Sequence, residues 1–270
     1  MPTDSASTSL DRRVAIVTGA GSGIGREIAL MMAASGAAVA ALDIDGQAAL
    51  QTAALIGDAG GRALGLRADV SQEADIDEAV GTAVATLGPL DIMVNNAGIL
   101  DGYLDVHEMD PAVWRRVIDI DLTSVFLGCR RALREMLPRG RGRIINMASV
   151  AGLNGTGGGV AYIAAKHGVI GLTRQMAVVY GNRGITVNAV CPGVIPTGLR
   201  HHSQELLGPG LPDFARRGVA VNDDQVRALV PAGVRGSVQD IAASVCFLAG
   251  DGAGYINGHS LVVDGGWRAR

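Results

Sequence analysis

The sequence predicts an α/β fold with one doubly wound parallel sheet, and three of its features indicate this. Uninterrupted apolar runs, such as residues 14–17, are typical of strands that are buried on both faces. Segments with the apolar spacing of helices separate these runs along most of the chain. Several runs end in polar or glycine residues, which would lie together at the carboxyl edge of the sheet, where ligands bind in such folds.

Length and composition restrict the classes of protein to consider. The 270 residues suffice for one domain, predicted over residues 11–270, and the polar residues 1–10 are expected to form a disordered tail. The net charge of −3, without a basic stripe, gives no reason to expect nucleic acid as a partner. No apolar run approaches the about 18 residues of a membrane span, so no membrane partner is expected either. The expected partners are small molecules and further copies of the chain.

Three cysteines, Cys129, Cys191 and Cys246, stand far apart in the sequence and lack any CxxC spacing. This pattern is typical of reduced thiols and predicts a cytoplasmic protein. No metal site is expected from it.

The first strand, residues 14–18, leads into a turn with glycines at positions 19, 21, 23 and 25. Glycine permits positive φ angles and a close approach of the backbone to a ligand, and the helix that follows offers free N–H groups at its start. This arrangement suits a phosphate or pyrophosphate group and predicts a dinucleotide-binding sheet. The spacing Gly-x3-Gly-x-Gly differs from the usual G-x-G-x-x-G pattern, so a glycine-rich connection without a ligand stays an alternative here.

A second apolar run, residues 37–42, ends at Asp43. An acidic residue there, about 20 positions after the glycines, can accept hydrogen bonds from the ribose of an adenine nucleotide. A phosphate on that ribose would meet like charge, and no arginine is expected near Asp43 to neutralise it, so NAD is favoured over NADP. The alternative is an acidic loop residue or a cap of the helix that begins at Gly46.

The remaining elements continue the alternation. Helices are predicted for residues 46–59, 71–87, 111–135, 161–180 and 238–249, and strands for residues 63–70, 91–98, 143–149, 185–190 and 261–263. Ser71 and Ser237 are expected to cap two of the helices. Residues 197–231 contain Pro209 and Pro212 and are expected to form an irregular substrate loop.

Tyr162 and Lys166 stand four residues apart on a predicted helix, so their side chains share one face. An ammonium group beside a phenol stabilises the phenolate, which makes tyrosine an acid and base that works near neutral pH. Ser149, at the end of the preceding strand, could donate a hydrogen bond to the same substrate oxygen. A Tyr-x3-Lys pair alone is common on helices, so the significance of this one depends on the motifs around it.

Taken in order, the motifs resemble those of the short-chain dehydrogenase/reductase family over residues 11–270. They are Thr18-Gly19-x3-Gly23-Ile24-Gly25, Asp69-Val70, Asn95-Asn96-Ala97-Gly98, Ser149, Tyr162-x3-Lys166, Val187-Asn188-x3-Pro192-Gly193 and Val263-Asp264-Gly265-Gly266. The resemblance implies a Rossmann fold with a seven-stranded parallel sheet, usually in a homotetramer. It also implies hydride transfer between NAD and a secondary alcohol or ketone, in which Tyr162 is the acid/base, Lys166 binds the nicotinamide ribose and Ser149 orients the substrate.

The same resemblance implies which residues contact the cofactor. They are Gly19, Ser22, Gly23, Ile24, Gly25, Asp43, Asp69, Val70, Asn96, Ala97, Gly98, Tyr162, Lys166, Pro192, Gly193, Ile195 and Thr197. Family members that prefer NADP tend to carry a basic residue just before the second motif glycine, where this chain has Ser22, which again favours NAD. Asn154 is a further candidate for substrate contact together with Ser149 and Tyr162, and the glycines at 157–159 predict an open or mobile pocket wall.

One position departs from the family pattern, because the family's Asn in Val-Ile-Asp-Val-Asn-Leu corresponds to Asp121 here. Asp121, the fourth candidate catalytic residue, can keep the backbone carbonyl in place but loses the amide donors. When ionised, it would raise the pKa of Tyr162. Two alternatives stay open: an NADPH-dependent reductase of 3-oxoacyl thioesters, which should lack Asp43, and a non-catalytic NAD-binding scaffold protein, which only Asp121 motivates.

Overall fold

The computed structural model describes residues 9–208, 211, 214, 217–220 and 222–269. Within them a seven-stranded sheet consists of β1 (Val14–Thr18), β2 (Ala38–Asp43), β3 (Ala63–Arg67), β4 (Ile92–Asn95), β5 (Gly142–Met147), β6 (Ile185–Pro192) and β7 (Ser260–Val263). The strand order is β3-β2-β1-β4-β5-β6-β7, and every neighbouring pair is parallel. The predicted doubly wound parallel sheet is confirmed.

Helices cover both faces of this sheet. They are α1 (Gly23–Ala34), α2 (Gly46–Asp58), α3 (Glu73–Leu87), α4 (Pro111–Ile118), α5 (Ser124–Met136), α6 (Val160–Tyr180), α7 (Leu199–Leu207), α8 (Asp223–Leu229) and α9 (Val238–Ala249). Successive side chains of a strand point to opposite faces, so Ile16 packs in the core of α3, α5 and α6, whereas Ala15 and Val17 pack in that of α1 and α9. The apolar runs lack polar alternation because both of their faces are buried.

Several predicted boundaries are corrected. β3 and β4 end at Arg67 and Asn95, three residues earlier than predicted. Within two residues of each strand end a backbone amide donates to a side chain and not to a strand carbonyl: Asp69 N–H donates to Asp75, and Asn96 N–H donates to Thr18. The cap predicted at Ser71 is wrong. α3 begins after Gln72, and the Ser71 hydroxyl instead donates to Asp69.

The long helix predicted over residues 111–135 is present, but a π-helical turn, Asp119–Thr123, separates α4 from α5. The segment at 197–231 is less irregular than predicted, since it contains α7 and α8. Pro209 and Pro212 lie outside the described residues. The cap predicted at Ser237 is confirmed and belongs to a capping box with Asp240.

The domain begins before residue 11. Leu10 is fully buried in the core of α1 and α9, and its amide donates to the carbonyl of Ser35 at 2.8 Å. Leu10 therefore belongs to the packed domain and not to the predicted tail, and residues 1–8 lie outside the described part of the chain. Among the described residues no helix is long and apolar enough to cross a membrane.

Candidate active site

A cavity of about 530 Å³ opens at the carboxyl edge of the sheet, where the chain order reverses between β1 and β4. It brings together all but two of the site residues predicted from the sequence. The lining includes Gly19, Ser22, Gly23, Ile24, Gly25, Asp43, Asp69, Val70, Asn96, Ala97, Gly98, Ser149, Tyr162, Lys166, Pro192, Gly193, Ile195 and Thr197. Asp121 and Asn154 do not line it.

The glycine turn after β1 is closely packed. Gly19 has a φ of +63°, and a Cβ atom there would lie 2.9 Å from Cα of Ala97. A Cβ atom on Gly25 would lie 2.0 Å from the carbonyl oxygen of Gly19. Only glycine fits at both positions, so the turn brings its backbone against the start of α1.

The start of α1 faces the cavity without a capping side chain. Ser22 occupies the N-cap position but makes no side-chain cap hydrogen bond, and Ser22, Gly23 and Ile24 all line the cavity. The first N–H groups of a helix lack partners within the helix and carry the positive end of its dipole. This helix start is therefore suited to the pyrophosphate of a dinucleotide.

Asp43, at the end of β2, is tied to the same turn. One carboxylate oxygen accepts from the amide of Gly21 at 2.8 Å, and the other accepts from the amide of Asp45 at 3.0 Å. The cap of α2 is Asp45, which accepts from Gln47 and Ala48, so Asp43 does not serve as a helix cap.

The expectation that no arginine lies near Asp43 is corrected. Arg67 is the Cα partner of Asp43 on β3, an adjacency that depends on the sheet register and leaves no local pattern in the sequence. Its side chain is exposed and lines a shallow depression beside Asp45, outside the main cavity. A second arginine, Arg26, is already bound to the carbonyl of Gly21 and to the hydroxyl of Thr52.

Asp69 lies at the cavity wall in a network that sequence analysis missed in part. Its carboxylate accepts from the amide and the hydroxyl of Ser71, and Arg116 of α4 lies 3.8 Å from it. Burial acts to raise the pKa of Asp69, but the hydrogen bonds from Ser71 and the charge of Arg116 outweigh it and lower the pKa. Arg116 also lines the cavity, and only the tertiary structure brings α4 there.

Tyr162 and Lys166 lie together in the first turns of α6, as the sequence predicts. Nζ of Lys166 is 5.3 Å from the centre of the Tyr162 ring and donates to the carbonyl of Met147 at 3.2 Å. Both side chains are almost fully buried. Ser149 follows β5 on the same side of the cavity, and its hydroxyl accepts from the amide of Ala151 at 3.1 Å.

Asp121 pairs with this lysine. The π-helical turn directs its side chain inward, where one carboxylate oxygen lies 3.2 Å from Nζ of Lys166 and the other accepts from the amide of Ile99 at 2.8 Å. Asp121 is completely buried, and Gly98 packs against the ion pair. A π-helical turn is frequent at functional sites, and here it accounts for the inward position of this carboxylate.

The charges in this group shift one another's pKa values. Burial raises the pKa of the Tyr162 phenol. Lys166 and Ser149 act to lower that pKa, and Asp121 acts to raise it. Burial disfavours the Lys166 ammonium, but the negative charges of Asp121 and Tyr162 outweigh burial and raise the pKa of this lysine. Lys166 is therefore a lasting positive charge beside the phenol.

The triple glycine differs from expectation, whereas the substrate contact predicted for Asn154 stays a prediction. The Asn154 side chain accepts from the amide and hydroxyl of Thr156, which closes a surface turn. The glycines do not form an open wall: a Cβ atom on Gly158 would lie 2.4 Å from the Tyr162 ring, and one on Gly159 would lie 2.5 Å from Asp101. These glycines are needed because Tyr162 and Asp101 pack directly against the backbone.

One side of the cavity is formed by α7, within the segment predicted to be a substrate loop. His202, Glu205 and Leu206 of α7 line the cavity, and the fully buried Phe214 packs in a cluster with Leu100 and Tyr162. The sequence gives no periodic signal for Phe214, since its neighbours in space are far away along the chain.

The chain is similar to known dehydrogenases over most of its length. Residues 13–207 match the family model described as short chain dehydrogenase. The chain is 39% identical over 258 residues to 3beta-hydroxysteroid dehydrogenase 2 of Eggerthella lenta, with 95% of each chain covered. It is 42% identical over 257 residues to cis-4-hydroxycyclohexanecarboxylate dehydrogenase of Sinomonas cyclohexanicum, covering 95% and 97% of the two chains.

A solved structure from Beutenbergia cavernae is also similar. It is assigned as an NAD(P)-dependent gluconate 5-dehydrogenase and contains NADP at low occupancy. The two chains superpose with a TM-score of 0.85 and 34% identity, over 97% of this chain and 99% of the other.

Proposed function

Since this chain belongs to the short-chain dehydrogenase family and is an oxidoreductase that transfers hydride between a secondary alcohol and a ketone, we propose that it uses NAD and that Tyr162 is its acid/base. The observation that carries this proposal is the position of Lys166 Nζ, 5.3 Å from the Tyr162 ring, in the cavity that also contains the glycine turn. The proposed base Tyr162, the ammonium of Lys166 that stabilises its phenolate and the proposed nucleotide site are therefore adjacent.

The residues present fit a dinucleotide. The uncapped start of α1 suits the pyrophosphate, and Asp43 suits the hydroxyls of the adenosine ribose. In the proposed arrangement Lys166 binds the nicotinamide ribose, and Ile195 and Thr197 hold the carboxamide and the phosphates of the cofactor. A bound nicotinamide supplies the hydride chemistry, while the protein supplies binding, orientation and proton transfer.

The proton would move at the phenol oxygen of Tyr162. During alcohol oxidation the phenolate accepts the hydroxyl proton of the substrate, and during ketone reduction the phenol returns it. Lys166 favours the phenolate through its charge, and Ser149 donates a hydrogen bond to the substrate oxygen. Asp121 acts on this chemistry through Lys166, to which it is paired.

The direct test is Tyr162→Phe, assayed beside the wild-type protein with NAD and a panel of secondary alcohols. The substitution removes the proton carrier and keeps the ring, so turnover should fall by roughly 10²–10⁴-fold while NADH still binds. Equal turnover in both proteins would exclude Tyr162 as the acid/base. NADH binding without turnover in either protein would favour the scaffold alternative.

The choice of NAD rests on Asp43. Its carboxylate lines the cavity and is fixed by the amide of Gly21, and Ser22 occupies the place before the second motif glycine. A ribose phosphate would lie against this negative charge. The related Beutenbergia structure contains NADP, so preference for NADP is the alternative to preference for NAD. Values of kcat/KM measured with both cofactors distinguish the two. A clear preference for NADPH would favour the thioester reductase alternative.

The lining around Tyr162 favours an apolar carbon skeleton in the substrate. The apolar side chains of Ile99, Ile120, Leu199 and Leu206 line the cavity together with Tyr162. Two relatives act, by their names, on a hydroxysteroid and a hydroxycyclohexane carboxylate, both secondary alcohols on a ring. We therefore include cyclic alcohols first in the assay panel, beside sugar alcohols as the polar comparison.

We also propose that the protein forms a homotetramer and is located in the cytoplasm. Large apolar side chains are exposed on α5, α6 and α9, namely Phe126, Val178, Val179 and Phe247, which supports association of copies into a homotetramer. All three cysteines are free and buried, which supports a reducing, cytoplasmic location. Light scattering coupled to size exclusion tests the tetramer.

A further inference from the structure

Asp101 is a completely buried carboxylate in the loop after β4. It accepts four backbone N–H groups: Oδ1 from Tyr103 at 3.2 Å and from Gly159 at 2.9 Å, and Oδ2 from Ala161 at 2.9 Å and from Tyr162 at 3.0 Å. Three of these donors belong to the start of α6. Charge-assisted bonds of this kind are stronger than those between neutral groups.

The start of α6 has no cap of its own. Gly159 occupies the N-cap position and has no side chain to accept a hydrogen bond. The orphan N–H groups that a local serine or aspartate would satisfy are instead satisfied by Asp101, which is 58 residues away from Gly159 along the chain. The same turn carries Tyr162.

The packing leaves little freedom in this contact. A Cβ atom on Gly159 would lie 2.5 Å from Oδ1 of Asp101 and 2.6 Å from the amide nitrogen of Leu104. The Asp101 loop is also held from its other side, where Ile99 donates to Asp121 and Leu100 donates to Ser203 of α7 at 2.8 Å. Asp101 thus joins a loop fixed by two other parts of the site to the backbone amide of Tyr162.

We propose that Asp101 is a positioning residue that fixes Tyr162 by anchoring the first turn of α6. This inference rests on the proposed role of Tyr162. It assigns to Asp101 no contact with substrate or cofactor, and it predicts that loss of the carboxylate displaces the phenol oxygen. Displacements of about 1 Å in a reacting group can lower a rate on the order of 100-fold.

The test compares Asp101→Ala, Asp101→Asn and Ser237→Ala with the wild-type protein. Asp101→Ala should lower kcat for the alcohol by roughly 10–100-fold, with KM for NAD changed less than about twofold because the glycine turn and Asp43 are untouched. Asp101→Asn retains one acceptor oxygen and the volume, so it should restore part of kcat. Ser237→Ala removes a helix cap on the opposite face of the sheet and should lower the melting temperature without lowering kcat.

Amide hydrogen exchange gives a readout that does not need turnover. In Asp101→Ala, or in Asp101→Asn if the alanine variant does not fold, protection should fall at the amides of Gly159, Ala161 and Tyr162 and stay unchanged in the middle of α6. Unchanged protection there would overturn the proposal, as would a full kcat in Asp101→Ala. If the wild-type protein showed no turnover with any alcohol, the proposed function would have failed, and exchange alone would decide whether Asp101 anchors α6.

Discussion

The two sides of this cavity that we propose for the nucleotide and for the substrate are built by different means. On the nucleotide side, backbone approaches backbone at distances that only glycine permits, as at Gly19 and Gly25. On the substrate side, the guanidinium of Arg200 donates to the carbonyls of Phe214, Arg217 and Val219 and lies 4.9 Å from the centre of the Tyr103 ring. The packing of the proposed nucleotide side requires residues without side chains, whereas the proposed substrate side is held together by the long side chain of Arg200.

This difference indicates how each side tolerates change. Where two backbone segments touch, any added atom must displace a rigid partner, so substitution should damage the fold and cofactor binding together. Where a side chain holds a segment by a few hydrogen bonds, substitution should loosen that segment and leave the sheet intact. The cofactor site is therefore expected to be fixed and the substrate site to be adjustable.

The largest effect is expected for Gly25→Ala. Its Cβ atom would lie 2.0 Å from the carbonyl oxygen of Gly19, so the turn must move away from α1. We expect kcat/KM for NAD to fall on the order of 100-fold and the free energy of unfolding to fall by about 1–3 kcal/mol. Near-normal NAD kinetics would show that the turn is more adaptable than its packing indicates.

A smaller change is expected for Asp43→Asn, which keeps an acceptor for the Gly21 amide and removes the charge. The ratio of kcat/KM with NADP to that with NAD should rise on the order of 10-fold, equivalent to about 1.4 kcal/mol. Arg67, the neighbour on β3, is the cation expected to attract the ribose phosphate of NADP in this variant, so Asp43→Asn with Arg67→Ala should lose the gain. No change in the ratio would contradict the role given to Asp43.

Asp121→Asn tests the charge beside Lys166. Asp121 raises the pKa of Tyr162, so its removal should lower that pKa. Alcohol oxidation needs the phenolate, and its rate rises as pH passes the pKa of Tyr162. The rising limb of kcat against pH should therefore move to lower pH, with a gain of roughly a fewfold at neutral pH. A shift to higher pH, or none, would contradict this sign.

Arg200→Lys tests the substrate side. Lysine keeps the charge but lacks the planar fork that reaches three carbonyls. KM for the alcohol should rise roughly fivefold, consistent with the loss of about 1 kcal/mol of hydrogen bonding, and KM for NAD should stay constant. An equal rise in both constants would remove the distinction between the two sides.

The smallest effect is expected for Gly81→Ala, the matched control for Gly25→Ala. Gly81 lies inside α3, and a Cβ atom there would meet no atom within 4 Å. The free energy of unfolding should rise by about 0.5–1 kcal/mol because alanine restricts the unfolded chain, and kinetics should stay unchanged. Destabilisation of similar size in both variants would show that close packing does not explain Gly25.

The sheet, the glycine turn and the Tyr162–Lys166 pair are predictable from the amino-acid sequence. Each of these depends on neighbours within a few residues: an apolar run, a helix start, a four-residue spacing on one helix face. Local periodicity is readable without coordinates, and so the strands were predicted to within a few residues.

Contacts between residues far apart along the chain are not predictable in this way. Four contacts in and around the site join residues that share no local sequence pattern. They are the contacts of Asp101 with α6, Arg116 with Asp69, Arg67 with Asp43 and Phe214 with Tyr162. The glycines at 157–159 show the same limit, since their composition predicted an open wall whereas Asp101 and the Tyr162 ring pack closely against two of them. Such contacts depend on the register of the sheet and on how its connections fold back over it, and no local sequence pattern encodes these.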